Sequence, residues 1–155
     1  MKAITIKYRG KPRRAFLVII TTKRFRFKLS LRLKMKSAYD REQLDQFFDH
    51  VGFPQHLRRQ PPSLGLLEAL HIHTLSTLPY ENLSIHYNPS HRIDLEPQHL
   101  FQKMIVQGQG RGGFCMEIAI LYNHILRAIG FDAYTAGVRT RGRLQGVPRG
   151  DYPGW

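Results

Sequence analysis

The chain has 155 residues, enough to bury one core, and at 42% hydrophobic and 23% charged it has the composition of a globular protein rather than a disordered one. A single cysteine excludes an intrachain disulfide and suits a reducing compartment, so a cytoplasmic location is expected. The net charge of +13 is local: residues 1–36 hold thirteen of the 24 Lys and Arg and no acid, whereas residues 37–155 hold eleven of each sign and sum to zero. The basic excess is a property of the tail and says nothing about partners of the remainder.

In the tail, the apolar run Ala15 to Ile20 is too short to span a bilayer and short for a signal-peptide core, so neither a membrane span nor secretion is expected. From Arg24 to Lys36 polar and apolar residues alternate, with Phe25, Phe27, Leu29, Leu31, Leu33 and Met35 on one side. Period two predicts a strand with one cationic face, which argues against a helical mitochondrial presequence. Residues 1–36 are expected to be a basic extension foreign to the fold. The alternative is a binding arm for nucleic acid or membrane, which salt-sensitive binding would reveal.

Helical signals dominate after Ser37. Asp40 caps a run with Leu44, Phe47, Phe48 and Val51 on one stripe, stopped by Gly52. Pro61-Pro62-Ser63 opens a second helix with Leu67, Leu70 and Thr74 on one side, ended by Pro79. Asn88-Pro89 marks a turn. Glu96-Pro97 starts a third helix, turning Leu100, Phe101, Met104 and Ile105 inward. A glycine-rich loop from Gly108 to Gly113 leads into a helix at Cys115 that carries Ile118, Leu121, Tyr122, Ile125 and Ile129 and closes at Gly130. Phe131 to Thr140 reads as a strand. The expected fold class is α+β: a helical bundle over 37–130, with 131–155 opening a β-rich domain.

Gly108-Gln-Gly110-Arg-Gly112-Gly113 matches G-x-G-x-x-G formally. The dinucleotide fingerprint requires a preceding strand, and here a helix precedes, so that reading is rejected. The glycines instead suit a loop whose backbone comes close to a thiol and a substrate. Arg111-Gly112-Gly113-Phe114-Cys115-Met116-Glu117 sets the thiol at a helix N-terminus, where the dipole and Arg111 favour thiolate. Yet Cys115, Ile118, Ala119 and Tyr122 also share a stripe, as a packed core thiol would, so spacing alone leaves its role open. A nucleophile needs a base. His124 lies nine residues along the same helix, over ~13 Å away on the axis, and faces the other side. His71 and His73 diverge by about 200° on a helix and make no metal pair, so no metal site is expected. In Leu78-Pro79-Tyr80-Glu81-Asn82-Leu83, Glu81 is a candidate to pair with Arg111 and brace the thiol loop.

Arg111-Gly-Gly-Phe-Cys115-Met-Glu117, taken with Leu78-Pro-Tyr-Glu81-Asn82-Leu83 upstream and with Ile93-Asp94-Leu95 and Leu100-Phe101-Gln-Lys103 between them, resembles the arylamine N-acetyltransferase family. The resemblance runs from about Tyr39 to Trp155 and covers roughly the N-terminal half of a member. It implies a fold like that of the cysteine proteases, with a helical domain, a β-barrel domain and an α/β lid. It also implies acetyl transfer from acetyl-CoA to a small aromatic amine or hydrazine, through a thioester on the cysteine matching Cys115 and with no metal. Arg111, Gly112, Gly113, Phe114 and Glu81 then support the nucleophile loop, and Gly154 is a candidate cofactor contact. No nucleic-acid partner is implied.

The family's triad His falls just after the segment resembling Asp151 to Trp155, and its Asp on a later strand. A truncated form with at most a trace of activity is therefore the expectation, with a catalytically inactive remnant or a basic-armed binding protein as the alternative.

Overall fold

The computed structural model describes residues 36–107, 110–136, 143–144 and 147–148. The basic segment up to residue 35, residues 137–142, and Gly154 with its neighbours lie outside them, as do the expectations attached to these stretches.

Helix α1, Arg41–His50, begins where the sequence signals it. The Asp40 carboxylate accepts the Gln43 N–H at 2.9 Å, and the Gln43 side chain accepts the Asp40 N–H at 3.2 Å, a closed capping box. The chain leaves α1 through Gly52, whose φ of +63° suits a residue without a Cβ. Helix α2, Leu64–Thr77, is capped by the Ser63 hydroxyl, which accepts the Leu66 N–H. It stops before Pro79, which has no N–H to continue the ladder. A short helix α3 spans Leu83–Tyr87 and a further one, α4, spans Pro97–Phe101 with Glu96 as its cap. Helix α5, Cys115–Ile129, closes on Gly130 at φ +109°.

The third predicted helix is not uniform. After Phe101 it widens into a π turn over Gln102–Val106, closed by the Gln107 N–H on the Gln102 carbonyl at 2.9 Å. A wider turn makes neighbouring side chains diverge less, and Lys103, Met104 and Ile105 all face the interior. Apolar spacing does not announce this, because Leu100, Phe101, Met104 and Ile105 are buried as an ordinary helix would also bury them.

Helix α5 packs against α1 and α4. The centre of the core holds Phe47, Phe48, Phe53, Leu70, Leu100, Phe101, Met104, Leu121, Ile125 and Leu126, all essentially inaccessible. Ring contacts tie its layers together: Phe48 stacks on Phe53 at 5.2 Å and Tyr39 meets Phe101 at 5.1 Å. Burying a large apolar side chain is worth roughly 1.5–3 kcal/mol, so each of these ten residues contributes to the bundle's stabilisation on that scale.

The strand expected from Phe131 does not form over the described residues 131–136. A strand is defined by its ladder, and along this stretch Ala133 alone holds a bridge position. Its carbonyl instead accepts the Arg127 Nε–H at 2.9 Å, which turns the chain back onto the end of α5. Among the described residues the only ladder is a two-residue antiparallel pair of β1, Arg143–Leu144, with β2, Val147–Pro148. The described architecture is helical, without a barrel.

Candidate active site

Cys115 is the first residue of α5 and is about nine-tenths buried. The segment before it is held by a short parallel pairing with Leu78–Leu83. The Gly113 N–H donates to the Pro79 carbonyl at 3.2 Å, and the Glu81 N–H donates to the Gly113 carbonyl at 3.1 Å. The glycines are what allow this approach. A Cβ on Gly112 would lie 1.7 Å from the Pro79 carbonyl oxygen, inside any contact distance. A Cβ on Gly113 would lie 3.1 Å from both the Met104 sulfur and Glu117 Cβ. The close approach expected toward thiol and substrate is, in the structure, made to Pro79.

Around this pairing stand four charges. Arg111 donates from Nε and Nη2 to the one oxygen Glu81 Oε1 at 3.2 and 3.0 Å, so both guanidinium donors converge on a single carboxylate oxygen. Glu81 Oε2 accepts the Leu83 N–H at 2.6 Å, fixing the start of α3. Lys103 Nζ reaches Glu117 Oε1 at 2.9 Å and Glu81 Oε1 at 3.4 Å. Glu117 Oε2 accepts the Phe114 N–H at 2.7 Å. This last bond is half a capping box; Phe114 has no side-chain acceptor to complete it. The Lys103 and Glu117 side chains are only 7% and 2% exposed, so neither charge is solvated and each depends on the other.

Burial alone would raise the Glu81 carboxyl. The Leu83 N–H, the Arg111 guanidinium and the Lys103 ammonium outweigh burial and hold it below the ordinary glutamate value. Glu81 therefore stays ionised across the neutral range.

The histidines do other work. His124 accepts the Ala38 N–H on Nδ1 at 2.9 Å and lies 5.5 Å from the Tyr39 ring, on the face of α5 away from its start. His73 Nδ1 meets the Val51 carbonyl at 3.1 Å, and His71 packs on Tyr122 at 5.8 Å. Among the described residues no three His, Cys, Asp or Glu converge on a point that could hold a metal. A cleft of about 480 Å³ opens between α3 and the π turn. Arg111, Lys103, His99 and Tyr87 line it, and Cys115 is not among its described lining residues.

The structure thus joins Glu81, Arg111, Gly112, Gly113, Phe114 and Cys115, all marked in the sequence, into one unit. Sequence reasoning missed the parts played by Lys103 and Glu117. Each was visible as a charge inside an apolar stripe, Lys103 beside Met104 and Ile105, and Glu117 beside Ile118.

A family model described as "N-acetyltransferase" matches residues 63–148. The chain is 28% identical over 137 residues to "N-malonyltransferase FDB2" of Gibberella moniliformis, covering 76% of this chain and 39% of that protein. It is 33% identical over 94 residues to "Arylamine N-acetyltransferase, pineal gland isozyme NAT-10" of Gallus gallus, covering 61% of this chain and 30% of that protein. Against "Arylamine N-acetyltransferase 1" of Oryctolagus cuniculus the figures are 30% identity over 94 residues, 61% and 30%. The chain therefore spans between about a third and two-fifths of the length of these relatives. Among the described residues no helix is long and apolar enough to cross a membrane.

Proposed function

Because this chain belongs to the arylamine N-acetyltransferase family, we propose that Cys115 accepts an acyl group from an acyl-CoA donor and passes it to an amine. The observation that carries the proposal is the placement of the thiol at the first position of a fifteen-residue helix, on a loop pinned by Gly112, Gly113 and the Arg111–Glu81 pair. A helix N-terminus favours negative charge, so the thiolate is the form that this position stabilises.

In the first step the Cys115 thiolate attacks the thioester carbonyl of the donor. The carbon–sulfur bond to CoA breaks, CoA leaves as a thiolate that takes up a proton, and the acyl group rests on Sγ. In the second step an amine attacks the acyl-cysteine, Sγ leaves, and the amine nitrogen loses a proton to give the amide. The helical unit of residues 37–130 delivers the nucleophile in this scheme, and residues 131–155 begin the adjoining domain. Small aromatic amines or hydrazines are the proposed acceptors, and Gly154 is retained as a candidate contact to CoA.

Acetyl is the proposed acyl group. One relative carries malonyl in its name, so both donors belong in the test. The chain is incubated with acetyl-CoA or malonyl-CoA, and intact mass is read. At most a trace of a single acetyl adduct is expected on the wild type, because the base that resembles the family's triad His is not in this chain, and none is expected on Cys115→Ser. Glu81→Gln and Arg111→Met are expected to lose the adduct while remaining folded by circular dichroism. Absence of any Cys115-dependent adduct with either donor would refute the proposal.

A further inference from the structure

The buried pair of Lys103 and Glu117 has no part in the scheme above, yet Glu117 is two residues from Cys115 and bonds the N–H of the residue before it. Glu117 Oε2 holds the Phe114 N–H, and its Cβ sits under Gly113, so the carboxylate fixes the turn from which Cys115 projects. That position carries a cost for a nucleophile. A separation of two residues is a rise of about 3 Å along the axis, so the carboxylate shares the first turn of α5 with the thiol. An uncompensated negative charge in that turn opposes a thiolate. The π turn delivers the compensation: Lys103 Nζ, 2.9 Å from Glu117 Oε1 and almost fully buried.

We propose that Lys103 and Glu117 are a positioning pair for the nucleophile, in which Glu117 fixes the first turn of α5 and Lys103 cancels the charge with which Glu117 would otherwise suppress the thiolate. The inference rests on the reading of Cys115 as nucleophile. Among the described residues, the other charges placed at this end of α5, Glu81 and Arg111, pair with each other, so these four groups sum to zero. His71 of α2 packs on Tyr122, seven residues along α5, and His124 is nine residues along it, ~10 and ~13 Å from its start. They leave the balance at Cys115 unchanged.

Cys115 is the only cysteine, so its alkylation by iodoacetamide reports on one thiol. The rate is followed against pH in the full chain. Glu117→Gln keeps an oxygen for the Phe114 N–H and removes one negative charge; the midpoint of the alkylation profile is expected to fall by about one pH unit. Lys103→Met is expected to raise it by a similar amount. The double variant removes both charges and is expected to return the midpoint to within a few tenths of wild type. It also guards against misfolding of the lysine variant, because removing a whole buried pair is far better tolerated than removing half. A purely structural pair would give shifts of one sign in both single variants. That pattern, or an unmoved midpoint in Glu117→Gln, would overturn the inference. Alkylation involves no acyl donor, so failure of acyl transfer with these opposite shifts intact would refute the catalytic reading and leave the pairing standing.

Discussion

The helical core and the knot at the start of α5 are built on opposite principles. The core is a set of apolar side chains on three long helices and the turns between them, held by volume and by a few ring contacts such as Phe48 on Phe53. The knot is nearly bare of side-chain volume. Gly112 and Gly113 bring backbone against backbone at Pro79, and four charges paired in series, Arg111, Glu81, Lys103 and Glu117, hold the result. A core of this kind tolerates exchange of one apolar residue for another of similar size. The knot tolerates far less, because a Cβ on either glycine would meet a neighbour and each charge is placed against an opposite one. In the scheme proposed above, the chemistry belongs to the second region.

Gly112→Ala should show this division most strongly. A methyl group 1.7 Å from the Pro79 oxygen forces the two segments apart, breaking both backbone hydrogen bonds of the pairing and misplacing Cys115. Acyl-adduct formation is expected to disappear, with a loss of about 3 kcal/mol or more in chemical denaturation. Phe47→Ala is the converse. It empties a fully buried site on α1 and should cost about 3–5 kcal/mol. The alkylation rate of Cys115 in the remaining folded molecules is expected to stay within a factor of two of wild type. If Phe47→Ala slowed alkylation as far as Gly112→Ala does, the two regions would be one unit and the comparison would fail.

The same division explains what could be read from the sequence. The core was legible because periodicity is a local signal: Leu44, Phe47, Phe48 and Val51 announce the buried face of α1 without reference to any other segment, and all four are buried. Caps at Asp40, Ser63 and Glu96 are equally local, each needing only the next three residues. The pairing of Glu81 with Arg111 was legible as a possibility, because two isolated charges flanked the same thiol loop. The fit of Gly112 to Pro79 was not legible, since a glycine does not name the atom it makes room for. Nor was the π turn, because the residues it buries are those an α-helix would bury, apart from one lysine. Over the described residues 131–136 the expected strand is reduced to a bridge at Ala133. A residue's own β-preference does not fix how far a ladder extends, which depends on the segment it pairs with.

The smallest expected effect separates the regions by pH. His50, His71 and His124 are each lowered from the ordinary histidine value, chiefly by burial; for His124 the Arg127 charge adds to burial and Glu96 opposes it. A depressed histidine binds its proton more readily in the unfolded chain. Its contribution to stability is therefore complete above the unfolded value, about 6.5, and is lost as pH falls through that value toward the lower folded one. Glu81 is also lowered, so it too favours the fold at higher pH, but its loss begins only in the carboxylate range. Between pH 7.5 and 5.5 the bundle should weaken while the charges of the knot hold. The thermal midpoint is expected to fall by a few degrees over that window. His124→Asn, which keeps an acceptor for the Ala38 N–H and removes the titration, should flatten part of the slope. Glu81→Gln should lower the midpoint at both pH values and leave the slope unchanged. A slope that vanished in Glu81→Gln and survived in His124→Asn would place the pH-sensitive element in the knot, reversing the assignment.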